Sequence, residues 1–298
     1  MSRSTNKARA RIRAQFLGEP RQAALGSAAR DGSLGLDHCS PSQIRLRALL
    51  ALGFFNHPGR WNRYSGATAW GVHTLVSYRI VPSPQFNRIV LIADAPHNVA
   101  PYLLPRGRRT ALPGLRLESF QGRHTYLARH LPTGAQLVVT GNASGTWGGA
   151  RRSAPRRFRT TDDCLTAQEH AELDLVPEIS DAAARLLAGL ICRITAKDPH
   201  GDWAVGWFVD PLDRDGWNCS DEVPFEKKLS GSQDLWTLRW NGLPYADDVA
   251  TALTHDPIGI PGAVVHDTGD QVEVRLGPAV LRLSARRDPI RRSMGAAL

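Results

Sequence analysis

The spacing of apolar and polar positions in the N-terminal part of the chain predicts three helices. Residues 5–17 form the first, a short and strongly basic segment, and residues 21–30 form the second. The third spans residues 40–52, where Ser40 suits the N-cap and Pro41 suits the first helical position. Because the later part of this helix is apolar on every side, we expect that part to be buried.

From Thr68 onward the pattern becomes strand-like. A short apolar run at residues 89–92 is typical of a buried strand. Residues 125–131 and 135–140 flank Pro132-Thr133-Gly134, and two such runs around a turn sequence predict a β-hairpin. We therefore expect antiparallel strands to follow the N-terminal helices.

The C-terminal part mixes helices and strands without a regular alternation. Ser180 and Asp181 begin a strongly amphipathic helix with apolar residues at helical spacing. The irregular order favours an α+β fold over a doubly wound parallel sheet. The other predicted elements are a helix at 165–173, strands at 203–209 and 235–240, a helix at 246–253, and strands at 271–276 and 279–284.

A segment rich in glycine and arginine separates these two parts. Residues 142–162 are dominated by Gly, Ser, Pro and Arg, a composition typical of an exposed linker. We therefore expect a basic domain at residues 1–141, made of helices and then antiparallel strands. A smaller, acidic α+β domain is expected at residues 163–298.

The composition indicates a globular protein rather than a fibre or a disordered chain. The 298 residues are 42% hydrophobic and 22% charged. The longest apolar stretch, residues 48–55, is too short to cross a bilayer, and the N-terminal residues lack the apolar segment of a secretory signal. Four cysteines without regular spacing favour a reducing compartment, so we expect a cytoplasmic protein that does not bind membranes.

The net charge of +9 is divided unequally along the chain. Residues 1–160 hold 24 Lys and Arg against five Asp and Glu, a net charge of +19, whereas residues 161–298 carry −10. Such asymmetry is typical of proteins that meet nucleic acid or another charged partner. The preference for Arg over Lys is typical of GC-rich coding and points to a high-GC bacterium or its mobile element. GC-rich coding does not explain the scarcity of acids in the first part.

Clusters of cations without neighbouring acids predict phosphate contacts through charge and bidentate hydrogen bonds. The three N-terminal helices allow a helix-turn-helix-like arrangement, in which the first turn of the third helix reads base edges. The alternative for that helix is a core element with a solvated first turn. The predicted backbone-contacting residues are Lys7, Arg9, Arg11, Arg13, Arg151, Arg152, Arg156, Arg157 and Arg159, and the predicted base-reading residues are Gln43, Arg45 and Arg47.

Two other functions are compatible with the same charges. If the acidic half neutralises the basic half, the protein is an interaction adaptor, with Asp162, Asp163 or Glu169 paired to the linker arginines. Alternatively, the protein is an enzyme, a hydrolase or transferase on a phosphate-bearing substrate. The arginines would then bind the substrate, and carboxylates of the acidic half would supply acid–base or metal chemistry.

Local motifs for catalysis or metal binding are weak. Residues 245–248, Tyr-Ala-Asp-Asp, resemble the paired-aspartate element of reverse transcriptases, but no upstream metal-binding strand accompanies them and the aspartates suit a helix start. Residues 210–218 concentrate oxygen ligands without the spacing of an EF-hand loop. We predict no metal and no cofactor, and the catalytic residues of the enzyme alternative stay unassigned.

These observations favour an accessory or regulatory protein that binds DNA or RNA mainly through phosphates. In this hypothesis the acidic half regulates that binding or recruits a protein partner. The charge asymmetry is the observation on which the hypothesis depends.

Overall fold

The computed structural model describes residues 3–27, 33–56, 72–104, 112–122, 124–141, 151–152, 158–207, 210–214, 227–267 and 271–286. Within these residues the chain forms eight helices and eleven strands. In chain order they are α1 (Arg3–Leu17), α2 (Arg21–Ser27), α3 (Pro41–Phe55), α4 (Val72–Ser77), β1 (Val81–Gln85), β2 (Arg88–Ile92), α5 (Pro96–Leu103), β3 (Leu115–Gln121), β4 (Thr125–His130), β5 (Gln136–Thr140), β6 (Arg151–Arg152), α6 (Ala167–Asp174), α7 (Asp181–Cys192), β7 (Lys227–Ser232), β8 (Leu235–Asn241), α8 (Ala246–Thr254), β9 (Val264–Asp267), β10 (Val272–Leu276) and β11 (Ala279–Arg286).

The strands form two mixed sheets, which together with the helices give the predicted α+β fold. The first sheet has the strand order β1-β2-β5-β4-β3-β6, and the second has the order β7-β8-β11-β10-β9. Most neighbouring strands are antiparallel, but β2 and β5 run parallel, as do β8 and β11. The expectation of antiparallel strands was therefore incomplete, because the chain crosses over from β2 to β5 through α5 and the β3–β4 pair.

The predicted N-caps of α3 and α7 are confirmed. The Ser40 hydroxyl accepts a hydrogen bond from the Gln43 N–H at 3.3 Å, and Pro41 occupies the first turn of α3. The Ser180 hydroxyl accepts from the Ala183 N–H at 3.1 Å. Each cap satisfies an N–H group that has no acceptor within its own helix.

Two segments predicted as strand-like have other structures. Residues 72–77, inside the stretch expected to be β, form the short helix α4. Of the strand predicted at residues 203–209, the described part contains one isolated bridge, between Ala204 and Lys197. Apolar and tryptophan-rich runs of this length do not distinguish a strand from other buried backbone.

The strand β1 was not predicted, because it contains two prolines. Proline has no N–H to donate within a sheet, so Pro82 and Pro84 argue against a central strand. The structure accommodates them because β1 lies at an end of the first sheet and pairs with β2 on one side. The edge position thus explains why β1 can contain two prolines although the sequence pattern does not predict a strand there.

The core is continuous across the predicted linker. The helices α3 and α7, one from each half of the chain, pack against each other. Leu46 and Leu50 of α3 belong to the same buried apolar cluster as Leu187 and Ile191 of α7, and strands of both sheets contribute to it. The domain boundary at residues 142–162 stays a prediction, but the described core does not divide there.

None of the described helices is both long enough and apolar enough to cross a membrane.

Candidate functional site

Arg13 lies inside the fold and not on the basic surface of α1. Its side chain is fully buried. Its Nε and Nη2 donate to the Glu19 carboxylate at 2.6 and 2.9 Å, and its remaining N–H groups donate to the carbonyls of Ser27, Leu34 and Pro84 at 3.0–3.2 Å. These bonds tie α1 to α2 and β1. The expectation of a phosphate contact at Arg13 is corrected, because its charge and its donors are already used.

Gln43 is also buried, although it lies in the first turn of α3. Its Nε2 donates to the carbonyl of Asn87 at 3.0 Å and to that of Gln136 at 2.7 Å. The side chain therefore fixes α3 to the start of β2 and β5. A fully buried side chain cannot contact a base edge. The prediction that Gln43 reads bases is therefore wrong.

Arg47, one turn further along α3, is likewise fully buried. Its Nη1 donates to the carbonyl of Leu36 at 2.9 Å and lies 3.6 Å from the Cys192 sulfur, and its Nη2 donates to the carbonyl of Gln85 at 2.7 Å. A guanidinium is tolerated in a core where several carbonyls meet it. Of the three predicted base readers, only Arg45 is exposed.

Among the side chains that the structure describes on the first two helices, three cations are exposed. Lys7 and Arg11 lie four residues apart on α1, so their side chains are neighbours on one helix face. Arg21 is exposed at the start of α2. We call Lys7, Arg11 and Arg21 the α1–α2 cations; none of them forms an ion pair with a residue that the structure describes. Arg9, between the first two, is half-buried.

The carboxylates nearest in sequence are already engaged by other arginines. Among the described acids of residues 1–160, each one has an arginine partner. The pairs are Glu19 with Arg13 at 2.6 Å, Asp37 with Arg193 at 2.6 Å, Asp94 with Arg79 at 3.8 Å and Glu118 with Arg129 at 3.0 Å. No described carboxylate of this half is left to neutralise the α1–α2 cations.

Ion pairs between the two halves do not involve the α1–α2 cations either. In the part of the chain that the structure describes, Arg116 pairs with Glu169 at 2.7 Å and Arg193 pairs with Asp37 at 2.6 Å. Both arginines are almost completely buried. These two ion pairs therefore lie in the core and leave the α1–α2 cations without a carboxylate partner among the described residues.

The arginines of the predicted linker are only partly described. The backbone of Arg151 and Arg152 forms β6 at an end of the first sheet, opposite Gln121 and Phe120, but their side chains lie outside the described residues. Residues 156–157 also lie outside them. Arg159 is half-buried, and its carbonyl accepts from the Leu117 N–H at 2.9 Å.

The acidic residues considered for the enzyme alternative surround an arginine. Arg214 donates to Asp210 at 2.9 Å through Nε and to Asp248 at 2.6 Å through Nη2. Burial raises the pKa of Asp210, but hydrogen bonds from Arg214 and from backbone N–H groups outweigh it, so the net pKa is lowered. Asp247 and Asp248 lie in the first turn of α8, as the helix-start interpretation predicts. Among the residues described, no three His, Cys, Asp or Glu side chains are arranged to hold a metal ion.

His130 has both ring nitrogens engaged. Its Nε2 donates to the carbonyl of Pro113 at 3.0 Å, so its Nδ1 accepts from the Thr133 hydroxyl at 2.9 Å. Burial is the main cause that lowers the pKa of His130 to about 4. The ring is therefore neutral near pH 7 and acts as a structural group rather than a proton-transfer group.

The pair of Arg116 and Glu169 is the polar centre that the sequence did not identify. Two N–H groups of the Arg116 guanidinium donate to the Glu169 carboxylate at 2.7 and 2.8 Å, and the Gly114 N–H donates to it at 3.1 Å. Burial alone raises the pKa of Glu169, but these bonds and one from the Thr166 N–H lower it to about 2. The spacing Thr-x-x-Glu at 166–169 is a capping-box pattern that marks the start of α6. Nothing in the sequence indicates which arginine reaches it.

Comparison with known proteins identifies no relative: no protein-family model, no curated protein and no solved structure matches this chain.

Proposed function

We propose that the protein binds DNA or RNA mainly through phosphates, and that the α1–α2 cations form the centre of the binding surface. The observation that supports this proposal most is that Lys7, Arg11 and Arg21 are exposed without ion pairs while the described acids of residues 1–160 are engaged elsewhere. Ammonium and guanidinium groups that lack a carboxylate partner attract phosphate by charge and hydrogen bonding, whatever the base sequence.

The structure reduces the set of residues that we expect to contact nucleic acid. Arg13, Gln43 and Arg47 are excluded from the surface by burial. Arg9 and the arginines at 151, 152, 156, 157 and 159 stay predicted backbone contacts on the strength of the sequence. Because the retained cations are predicted to contact phosphates and not base edges, we expect binding with little base preference.

A variant with three neutralised cations tests the proposal. Lys7→Gln, Arg11→Gln and Arg21→Gln should weaken binding to a duplex oligonucleotide and reduce the slope of log affinity against log salt by up to about 3, since each lost phosphate contact removes roughly 0.9. Affinity is measured by fluorescence anisotropy across a series of salt concentrations. A parallel variant with Arg151, Arg152, Arg156 and Arg157 changed to Ala tests the linker arginines.

The matched control changes the overall charge by the same amount at another place. Arg185→Gln, Lys228→Gln and Arg239→Gln alter three exposed cations of the acidic half. This control should bind like the unmodified protein. If both triple variants lose the same affinity, only the net charge matters and the proposed surface is wrong. If the unmodified protein does not bind oligonucleotides at low salt, the proposed function itself is wrong.

The same proposal assigns the acidic half a regulatory or protein-recruiting role and locates the protein in the cytoplasm. The net charge of −10 over residues 161–298 supports the first point, because it opposes phosphate binding in that half. The cysteines that the structure describes, Cys39, Cys164 and Cys192, are free thiols, which is compatible with a reducing compartment.

A further inference from the structure

An open cleft of about 730 Å³ lies between α3, the β4–β5 turn and the segment that joins α6 to α7. None of the α1–α2 cations lines it. Its volume is in the range of roughly 300–1,000 Å³ that is typical of small-molecule sites. The cleft is built from three parts of the chain that lie far apart in sequence, and the proposed nucleic-acid surface does not use it.

The walls of the cleft are largely apolar. On one side, Pro41, Ala48 and Leu49 of α3 line it, and on the other side the lining includes Val176 and Ile179. Val176 and Ile179 are half-buried, so part of each side chain is available for contact. Such walls favour a ligand that transfers hydrocarbon surface out of water.

Among the described residues that line the cleft, Arg45 is the one with a positively charged side chain. It is exposed and forms no ion pair with a described residue. Its guanidinium forms no hydrogen bond with a residue that the structure describes, so its donors are available to a ligand.

The charges of the cleft select among ligand classes. A neutral apolar ligand would cover Arg45 without pairing it, and removing water from an unpaired charge is unfavourable. A dianionic phosphate ester would meet one cation, and the Glu178 carboxylate that also lines the cleft would repel its second charge. A single carboxylate matches the single guanidinium, can accept two parallel hydrogen bonds from it, and is repelled by Glu178 less strongly than a dianion.

We propose that this cleft binds a small amphipathic carboxylic acid. The carboxylate pairs with the guanidinium of Arg45, and the hydrocarbon part lies against Leu49, Val176 and Ile179. This site does not depend on the nucleic-acid proposal, because none of the α1–α2 cations lines the cleft. Arg45, which the sequence predicts as a base-reading residue, is assigned here to the cleft.

Isothermal titration calorimetry with three probes of equal chain length tests the proposal. Octanoate, octanol and octylamine differ in their polar group, so they separate the contribution of Arg45 from that of the apolar walls. We expect octanoate to bind at least tenfold more tightly than octanol or octylamine. Arg45→Gln should reduce octanoate affinity by roughly tenfold or more, since it removes a charge-assisted pair, and should not weaken octanol binding.

Two further variants complete the design. Arg239→Gln, which removes an exposed arginine on β8, should leave octanoate affinity unchanged. Val176→Trp, in the irregular segment that lines the cleft, should abolish binding of all probes while circular dichroism shows an intact fold. The proposal is overturned if octanoate and octanol bind equally, if Arg45→Gln binds octanoate like the unmodified protein, or if octanoate does not bind at millimolar concentration.

Discussion

Four arginine side chains, Arg13, Arg47, Arg116 and Arg193, lie in the core with at most 1% of their surface exposed. A charged group is unfavourable inside a protein unless its donors find acceptors and its charge finds a partner. Carboxylates pair with three of them, and backbone carbonyls surround the fourth, Arg47. Because an arginine has five donors in a fixed plane, each of these side chains joins segments that are distant in sequence.

At the scale of single residues, we predict that Glu169→Gln destabilises the protein by about 3–5 kcal/mol at pH 7, because it leaves the Arg116 guanidinium buried without a countercharge. The pKa of Glu169 is lowered from 4.5 to about 2, so its ion pair contributes stability above pH 4.5 that is lost as the pH falls towards 2. Urea denaturation at several pH values measures both effects.

The control for this prediction is Glu118→Gln. Glu118 pairs with Arg129, but both side chains are partly exposed, so the loss should be less than about 1 kcal/mol. If both variants lose a similar free energy of unfolding, the buried Arg116–Glu169 pair contributes no more to stability than the partly exposed Arg129–Glu118 pair.

At the scale of elements, some helices are specified by their local sequence and others by their position in the fold. The caps of α3 and α7 follow directly from Ser40 and Ser180, because a cap joins residues three positions apart. The helix α4 is different, since its six residues hold too few local hydrogen bonds to be specified by their own pattern. Glycines show a similar contrast. At some positions a Cβ atom would clash with a neighbouring segment, and at others it would meet no atom.

We predict that Gly259→Ala destabilises the protein by about 1–3 kcal/mol, because a Cβ atom there would lie 2.6 Å from the backbone of Thr254 at the end of α8. The backbone cannot easily move away, since the Ile260 N–H donates to the Leu253 carbonyl at 2.7 Å. Thermal unfolding followed by circular dichroism measures the change. As a control, Gly26→Ala lies in open space within α2 and should be neutral or stabilising by about 0.5–1 kcal/mol. Equal effects at both positions would contradict the steric argument.

At the scale of the whole molecule, the net charge separates the chain into two parts, but the buried core does not. The charge changes sign near residue 160, whereas the buried apolar cluster runs from α1 to β11. The pairs Arg193–Asp37 and Arg116–Glu169 cross the change of sign. The molecule thus combines one core with a basic part and an acidic part.

We predict that this shared core makes unfolding a single cooperative transition, because neither half can lose its packing without exposing that of the other. Tryptophan fluorescence and far-UV circular dichroism should give coincident curves in guanidinium chloride. Trp203, Trp207, Trp236 and Trp240 are buried in the C-terminal half, so fluorescence reports on the packing of that half. Two separated transitions would instead support independent domains at residues 1–141 and 163–298.

The sequence by itself determined the α+β class, the caps of α3 and α7, the β4–β5 turn and the unequal charge. Each of these depends either on residues a few positions apart or on a simple sum over the chain. Only the tertiary structure decided that Arg13, Gln43 and Arg47 are buried while Lys7, Arg11 and Arg45 are exposed. An arginine has the same charge in either place, and its burial depends on acceptors up to 156 residues away, as for Arg193 and Asp37. The Arg45 cleft likewise exists only because the folded chain brings distant segments together.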